Sequence, residues 1–150
     1  LAPRPAGDKD GFMDSQHIGV VIRRSPEEVY EFAAEPANMQ RWAAGLAKSE
    51  VLREGSSLVT ESPMGRVTVR FVERNAYGVL DHEVLLPSGE SVYNPLRVLP
   101  HPEGAEVVFT IRQDGLDDEA FSRDAAMVRD DLARLRGILE EVSPLRGDAP

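Results

Sequence analysis

The sequence predicts an α+β domain: a curved antiparallel β-sheet wrapped around a long C-terminal α-helix, with two short helices after the first strand. Three observations carry this expectation. In residues 118–142, Phe121, Ala125, Val128, Leu132, Leu135, Leu139 and Val142 are spaced 4, 3, 4, 3, 4, 3, which is one apolar stripe on a long helix. Near the other end, a short alternating run leads into Ser25-Pro26-Glu27-Glu28, a helix start. Between them lie six strand-like segments with turn chemistry at every break. Strands that follow strands, with no helical pattern between, pair antiparallel and argue against alternating βα units.

Element by element, Ile18, Val20 and Ile22 share one face of a strand over 17–23. Ser25 is a preferred N-cap, Pro26 suits the first helical position, and Glu28 stands where a capping box needs it. A helix is expected over 26–35, a break at Pro36-Ala37-Asn38, and a second short helix over 37–44 containing Trp42. Strands are expected at 48–53, 57–62, 66–73, 79–86, 91–99 and 106–113. Gly55, Gly65 and Gly89 read as hairpin glycines. Asp117 is the expected N-cap of the last helix, with Asp118 and Glu119 at the positive end of its dipole. Arg123, Arg129, Asp130, Arg134 and Glu141 fall off the stripe and should face water.

The stretch His17–Trp42, HIGVVIRRSPEEVYEFAAEPANMQRW, runs strand, capped helix, proline break, helix with a Trp. In this it resembles the opening of the START-like (SRPBCC) superfamily, and within it the polyketide cyclase/dehydrase-like group. The resemblance covers most of residues 16–142. It implies a helix-grip fold with a ligand cavity between sheet and helix, and it implies that Trp42 stands at the cavity mouth. An aromatic lid and a core anchor are both open readings for Trp42.

Composition bounds the function. A chain of 150 residues, 41% hydrophobic and 29% charged, suits one folded domain with one core. The expected division is a flexible segment at 1–13, a single domain at 14–143 and a frayed tail at 144–150. A net charge of −9 repels phosphate backbones, and no basic run exceeds Arg23-Arg24, so no nucleic acid is expected as partner. There is no Cys, which removes disulfides, thiolate metal sites and Cys nucleophiles together. No apolar run approaches the ~18 residues of a membrane span, so no membrane insertion is expected, and a cytoplasmic location is. No phosphate-cradling glycine loop is present, so no cofactor is expected. Asp114–Glu119 lacks calcium-loop spacing and reads as a helix start.

Hairpin geometry sets the strand registers. A loop at 75–78 puts Phe71 opposite His82 and Val69 opposite Val84. A loop at 87–89 with Gly89 left-handed puts His82 opposite Asn94 and Val84 opposite Val92. A four-residue loop at 101–104 puts Leu96 opposite Phe109 and Val98 opposite Val107. These registers keep apolar residues on one face, the criterion that normally fixes pairing. His82 and Asn94 are the two polar residues in that face. They either orient a polar group of a ligand or satisfy each other inside the core. Asp81 and Glu83 belong to the opposite face and form no dyad with His82. The sheet's inward face offers one His and no carboxylate, so no metal site is expected.

The expected function is binding of an apolar or aromatic small molecule in a cavity between the sheet and the last helix. Its candidate ligand-binding residues are Trp42, Phe71, His82, Asn94, Leu96, Phe109 and Val128. The helix stripe from Phe121 to Leu135 would be the floor, and Met64 and Met127 are further candidates for adaptable walls. Two alternatives stand beside it. One is a polyketide cyclase/dehydrase-like enzyme with His82 as general acid or base. The other is a protein-interaction module whose core is filled by its own side chains.

Overall fold

The computed structural model describes residues 13–141. The expected flexible start up to residue 12, Val142 at the end of the helical stripe and the expected tail lie outside the described residues. Met13 is exposed and precedes the first strand.

The order of elements is β1 (Ser15–Ile22), α1 (Pro26–Ala34), α2 (Pro36–Trp42), β2 (Leu52–Glu54), β3 (Ser57–Ser62), β4 (Gly65–Phe71), β5 (His82–Leu85), β6 (Ser91–Asn94), β7 (Leu96–His101), β8 (Gly104–Arg112) and α3 (Asp118–Glu141). This is the helix-grip fold: antiparallel sheet around a long C-terminal helix. Ser25 Oγ accepts from the Glu28 amide at 3.1 Å, and the Glu28 carboxylate accepts from the Ser25 amide at 3.2 Å, closing the capping box. Pro36 opens α2 instead of preceding it, because Glu35 caps that helix by accepting from the Ala37 amide. The Asp117 carboxylate accepts from the Ala120 amide at 2.8 Å and starts α3.

All three hairpin registers are as expected. Phe71 pairs with His82, His82 with Asn94, and Leu96 with Phe109. Gly89 has φ 95°. The last hairpin is tighter than expected: His101 pairs with Gly104, leaving Pro102 and Glu103 as the turn. The Glu103 amide donates to His101 Nδ1, which stabilises that shorter turn.

The expected strand over 91–99 is two strands. Pro95 has no N–H to continue the ladder. β6 therefore stays with β5 in the sheet β2-β3-β4-β5-β6, while β7 joins the sheet β1-β8-β7. The expected strand over 79–86 shortens likewise. Val79 makes an isolated bridge to Arg97, and the Leu80 amide donates to the Leu96 carbonyl, before β5 begins at His82. Residues 79–81 thus belong to the corner between the sheets.

The helix packs unevenly. α3 lies on β1 and β8, with α2 at its side. Phe121, Ala125, Leu132, Leu135 and Leu139 are buried there with Ile18, Ile22, Val29, Val98 and Val107. Arg123, Arg129, Asp130, Arg134 and Glu141 are exposed. The five-stranded sheet has its own smaller core of Met39, Ala47, Leu58, Val67, Val69 and Val84.

Candidate functional site: an apolar cavity with one polar pair

A cavity of about 250 Å³ lies where the five-stranded sheet diverges from α3. The sheet wall is Phe71, His82, Val84, Leu86, Val92, Asn94, Leu96, Phe109 and Ile111. Met39, Trp42, Ala43, Gly45 and Leu46, from α2 and the segment after it, close one side. Pro63 and Met64, from the β3–β4 turn, stand at the rim. The helix contributes Asp124, Met127, Val128 and Asp131. Met64 and Met127 are 52% and 40% exposed, so the rim carries two flexible apolar side chains in contact with water.

Each sequence-predicted candidate lies on this wall: Trp42, Phe71, His82, Asn94, Leu96, Phe109 and Val128. Two details differ from expectation. Of the stripe expected to form the floor, Val128 alone lines the cavity. The lining face is Asp124, Met127, Val128 and Asp131, one step around the helix from the core stripe, at the i, i+3, i+4, i+7 spacing of a single face. The wall also holds two carboxylates that the sheet pattern alone did not supply. Both come from α3.

The polar pair has a defined chemistry. His82 Nδ1 lies 3.0 Å from the Leu80 carbonyl, which can only accept, so Nδ1 carries the proton. Nε2 is then a lone pair, and the Asn94 amide Nδ2 donates to it at 3.4 Å. Asn94 Oδ1 remains as an acceptor. Phe71 and Phe109 flank the imidazole, with ring centroids 4.8 and 5.9 Å away. Burial pushes the His82 pKa below its usual 6.5, against smaller opposing effects of the Leu80 carbonyl and the Asp81 charge. The ring is therefore neutral at pH 7, with its basic nitrogen on the Asn94 side.

Asp81 holds this strand end in place. On the face opposite His82 it is nonetheless buried, 4% exposed. Its carboxylate accepts from the Leu96 amide at 2.9 Å, from Arg97 Nε and Nη2 at 2.7 Å each, and from the Tyr93 hydroxyl at 3.0 Å. The Arg97 hydrogen bond is the largest reason that the Asp81 pKa falls from 3.8 to about 2. The clamp grips the residues on either side of Pro95, so it ties the sheet corner beside His82.

Trp42 stands both in the main core, where it is 4% exposed, and on the cavity wall. Its carbonyl accepts from Arg134 Nη1 at 3.0 Å. Its Nε1 is a buried side-chain nitrogen without a hydrogen-bond partner among the described residues. The following segment is fastened to the helix: the Gly45 amide donates to Asp131 Oδ2 at 3.0 Å, and Arg134 donates to Asp131 Oδ1 at 2.9 Å. A Cβ at Gly45 would stand 2.7 Å from Met127 Sδ, so the glycine permits this close approach.

The family model described as polyketide cyclase / dehydrase and lipid transport matches residues 16–140. The chain belongs to this family. The START-like resemblance read from residues 17–42 is thereby confirmed at family level. No curated protein matches the chain. Among solved structures, a Mesorhizobium loti protein has TM-score 0.65 at 13% identity, covering 86% of this chain and 98% of that one. A Rhodobacter sphaeroides protein has TM-score 0.64 at 19% identity, covering 85% and 93%. DynU16, from the dynemicin biosynthetic locus, has TM-score 0.69 at 16% identity, covering 90% of this chain and 50% of its own. At these identities the likeness is one of fold.

Sequence reasoning missed Asp81, Gly45, Asp124 and Asp131. Helical spacing could have found the last two, since they fall on one face with Met127 and Val128. The Asp81 clamp had a weaker signal, a proline at 95 inside an otherwise continuous strand pattern.

Proposed function

We propose that this protein binds an apolar or aromatic small molecule in the cavity between the five-stranded sheet and α3. The observation that carries the proposal is an apolar cavity of about 250 Å³ whose sheet wall bears a single hydrogen-bonded His82–Asn94 pair. An apolar pocket with few convergent polar groups is the usual form of a small-molecule site. The volume is just below the roughly 300 Å³ at which drug-sized pockets begin, which favours a compact ligand. The alternative of an interaction module with a filled core loses support, because the protein's own side chains leave this space open. Native mass spectrometry of freshly purified protein tests the proposal. A retained mass that disappears on denaturation supports it. If no ligand is retained and no compact aromatic binds on addition, the proposal fails.

A second reading has its own support. Family membership brings cyclase or dehydrase chemistry into consideration, and the Leu80 hydrogen bond leaves the basic lone pair on His82 Nε2, where a substrate C–H would take the place of the long 3.4 Å Asn94 contact. On this reading His82 serves as general base, removing a proton from a bound carbonyl compound, while the aromatic walls hold that compound folded. The neutral ring has no proton on Nε2 to give at the start, so the general-acid role is the weaker of the two. His82→Gln would abolish turnover of a bound ligand while retaining its binding. Unchanged turnover in that variant would remove the reading.

A further inference from the structure

The electrostatics of the cavity wall define which polar handle its ligand carries. Resting on the proposed binding role, we infer that the ligand is an uncharged or cationic apolar molecule that donates a hydrogen bond, as a hydroxyl or protonated amine does, and that the anion of the same shape is rejected.

No lysine or arginine is among the described residues that line the cavity. The one basic group there is His82, and burial keeps it neutral at pH 7. Arg134, the nearest cation in the hydrogen-bond network, is spent on the Trp42 carbonyl and Asp131. The wall does carry negative charge. Asp124 and Asp131 stand two turns apart on the lining face of α3, and partial loss of water raises the pKa of each. Asp131 is engaged by the Gly45 amide and Arg134. Asp124 has no hydrogen-bond partner among the described residues; partial loss of water raises its pKa and the Arg123 charge opposes that. The residue is exposed, so its carboxylate acts on a ligand as a negative charge rather than as a desolvated acceptor.

The polar pair adds no positive charge. His82 spends its N–H on Leu80 and accepts one Asn94 N–H, so the pair still offers the Asn94 Oδ1 acceptor and the second Asn94 N–H, both uncharged. The only charge the wall offers an incoming molecule is negative, under a net charge of −9 over the whole chain; its remaining donors, the unpartnered Trp42 Nε1 and the second Asn94 N–H, are neutral. A carboxylate, sulfonate or phosphate entering here would lose its water without meeting a cation. A hydroxyl or ammonium group meets an acceptor it can use.

The test uses three probes with one bicyclic ring: 2-naphthol, 2-(aminomethyl)naphthalene and 2-naphthoate, titrated by calorimetry at pH 7 and low salt. Because Trp42 is the single Trp, its indole N–H resonance reports occupancy of the cavity in the same samples. Naphthol and the amine are expected to bind and move that resonance. Naphthoate is expected to bind at least ~10-fold more weakly, a difference of about 1.4 kcal/mol. In Asp124→Asn the gap between amine and naphthoate should narrow by a similar factor, while an ion-pair origin makes the wild-type gap shrink with added salt. If naphthoate binds as tightly as the other two, the charge selection is refuted while the cavity reading survives. If Asp124→Asn leaves the gap unchanged, Asp124 is not its source and the assignment falls. If none of the three binds, the cavity reading itself fails, and this inference with it.

Discussion

Replacing Asp81 by Asn isolates the clamp at the sheet corner. The carboxylate receives four hydrogen bonds: one from the Leu96 amide, two from Arg97 and one from Tyr93. The amide keeps one acceptor oxygen, enough for Leu96, but it presents an NH₂ toward Arg97, which cannot accept it, and the Tyr93 hydroxyl must turn from donor to acceptor. A carboxyl held from 3.8 down to about 2 contributes about 2 kcal/mol of folded-state stability at neutral pH. The donors that lose their oxygen belong to Tyr93 and Arg97, which are 51% and 47% exposed and recover hydration, so their loss adds little. Asp81→Asn should therefore cost about 2 kcal/mol at pH 7. The sign with pH follows from the lowered folded-state value. The contribution is complete above about pH 4 and is lost as pH falls through about 2, so the gap between wild type and variant should close over that range. Urea unfolding of both proteins at pH 7, 4, 3 and 2 measures the gap, and the other carboxylates cancel in the difference. A gap under about 0.5 kcal/mol at pH 7, or one that stays constant down to pH 2, would refute the clamp.

Three further outcomes are expected. Leu132→Ala and Leu135→Ala, at positions 1% and 0% exposed, should each cost about 2–5 kcal/mol in denaturant midpoint experiments, and two unchanged midpoints would contradict the packing of α3. His82 has a lowered folded-state pKa, so the unfolded chain binds protons first, and this group's contribution is lost as pH falls through about 6.5; NMR titration should show one of the three His residues resisting protonation, and His82→Gln should remove that part of the acid sensitivity. Gly78→Ala and Gly89→Ala share a positive φ, but a Cβ at Gly78 would lie 2.1 Å from the Val98 carbonyl oxygen, whereas one at Gly89 meets nothing within 4 Å; Gly89→Ala should cost only the left-handed strain of ~1–2 kcal/mol and Gly78→Ala clearly more.

The fold was legible because its signals are local or periodic. The capping box at Ser25, the glycine turns and the α3 stripe each state their geometry within a few residues. The registers were legible because shifting any strand by one residue would turn Val69, Val84 or Leu96 toward water. What the sequence pattern hid was the corner at Pro95. A proline between Asn94 and Leu96 reads as a minor interruption in an alternating strand, yet it removes one ladder hydrogen bond and lets the chain change sheets. Asp81 was hidden for a related reason. Its alternation places it on the outer face, and the partners that hold it there, Tyr93, Leu96 and Arg97, come from both sides of the corner. Asp124 and Asp131 were passed over because the helix was read for its apolar stripe, and cavity-lining residues on an amphipathic helix sit at the edge of that stripe.

The corner also explains why there is a cavity here at all. α3 packs on β1 and β8, and its buried residues belong to the core of the three-stranded sheet. The five-stranded sheet turns away after Pro95, and its inward side chains form a separate core with Met39 and Ala47. Two surfaces that diverge cannot both be packed by one helix stripe. The helix therefore meets the departing sheet with the edge of its stripe, where the sequence alternates Asp124 and Asp131 with Met127 and Val128. Were those two positions leucine, the gap could close by hydrophobic packing and the polar pair on the opposite wall would be sealed in. Carboxylates at this edge do not fill the gap as leucines would, and the space stays open. The His82–Asn94 pair faces the same gap from a strand whose end is fixed by the Asp81 clamp, so the one basic nitrogen on the wall is held on a rigid element and opposite a wettable one. That division of labour, a tied sheet corner beside the polar pair and an unpacked helix edge opposite it, is the physical basis on which a ligand is proposed for this cavity.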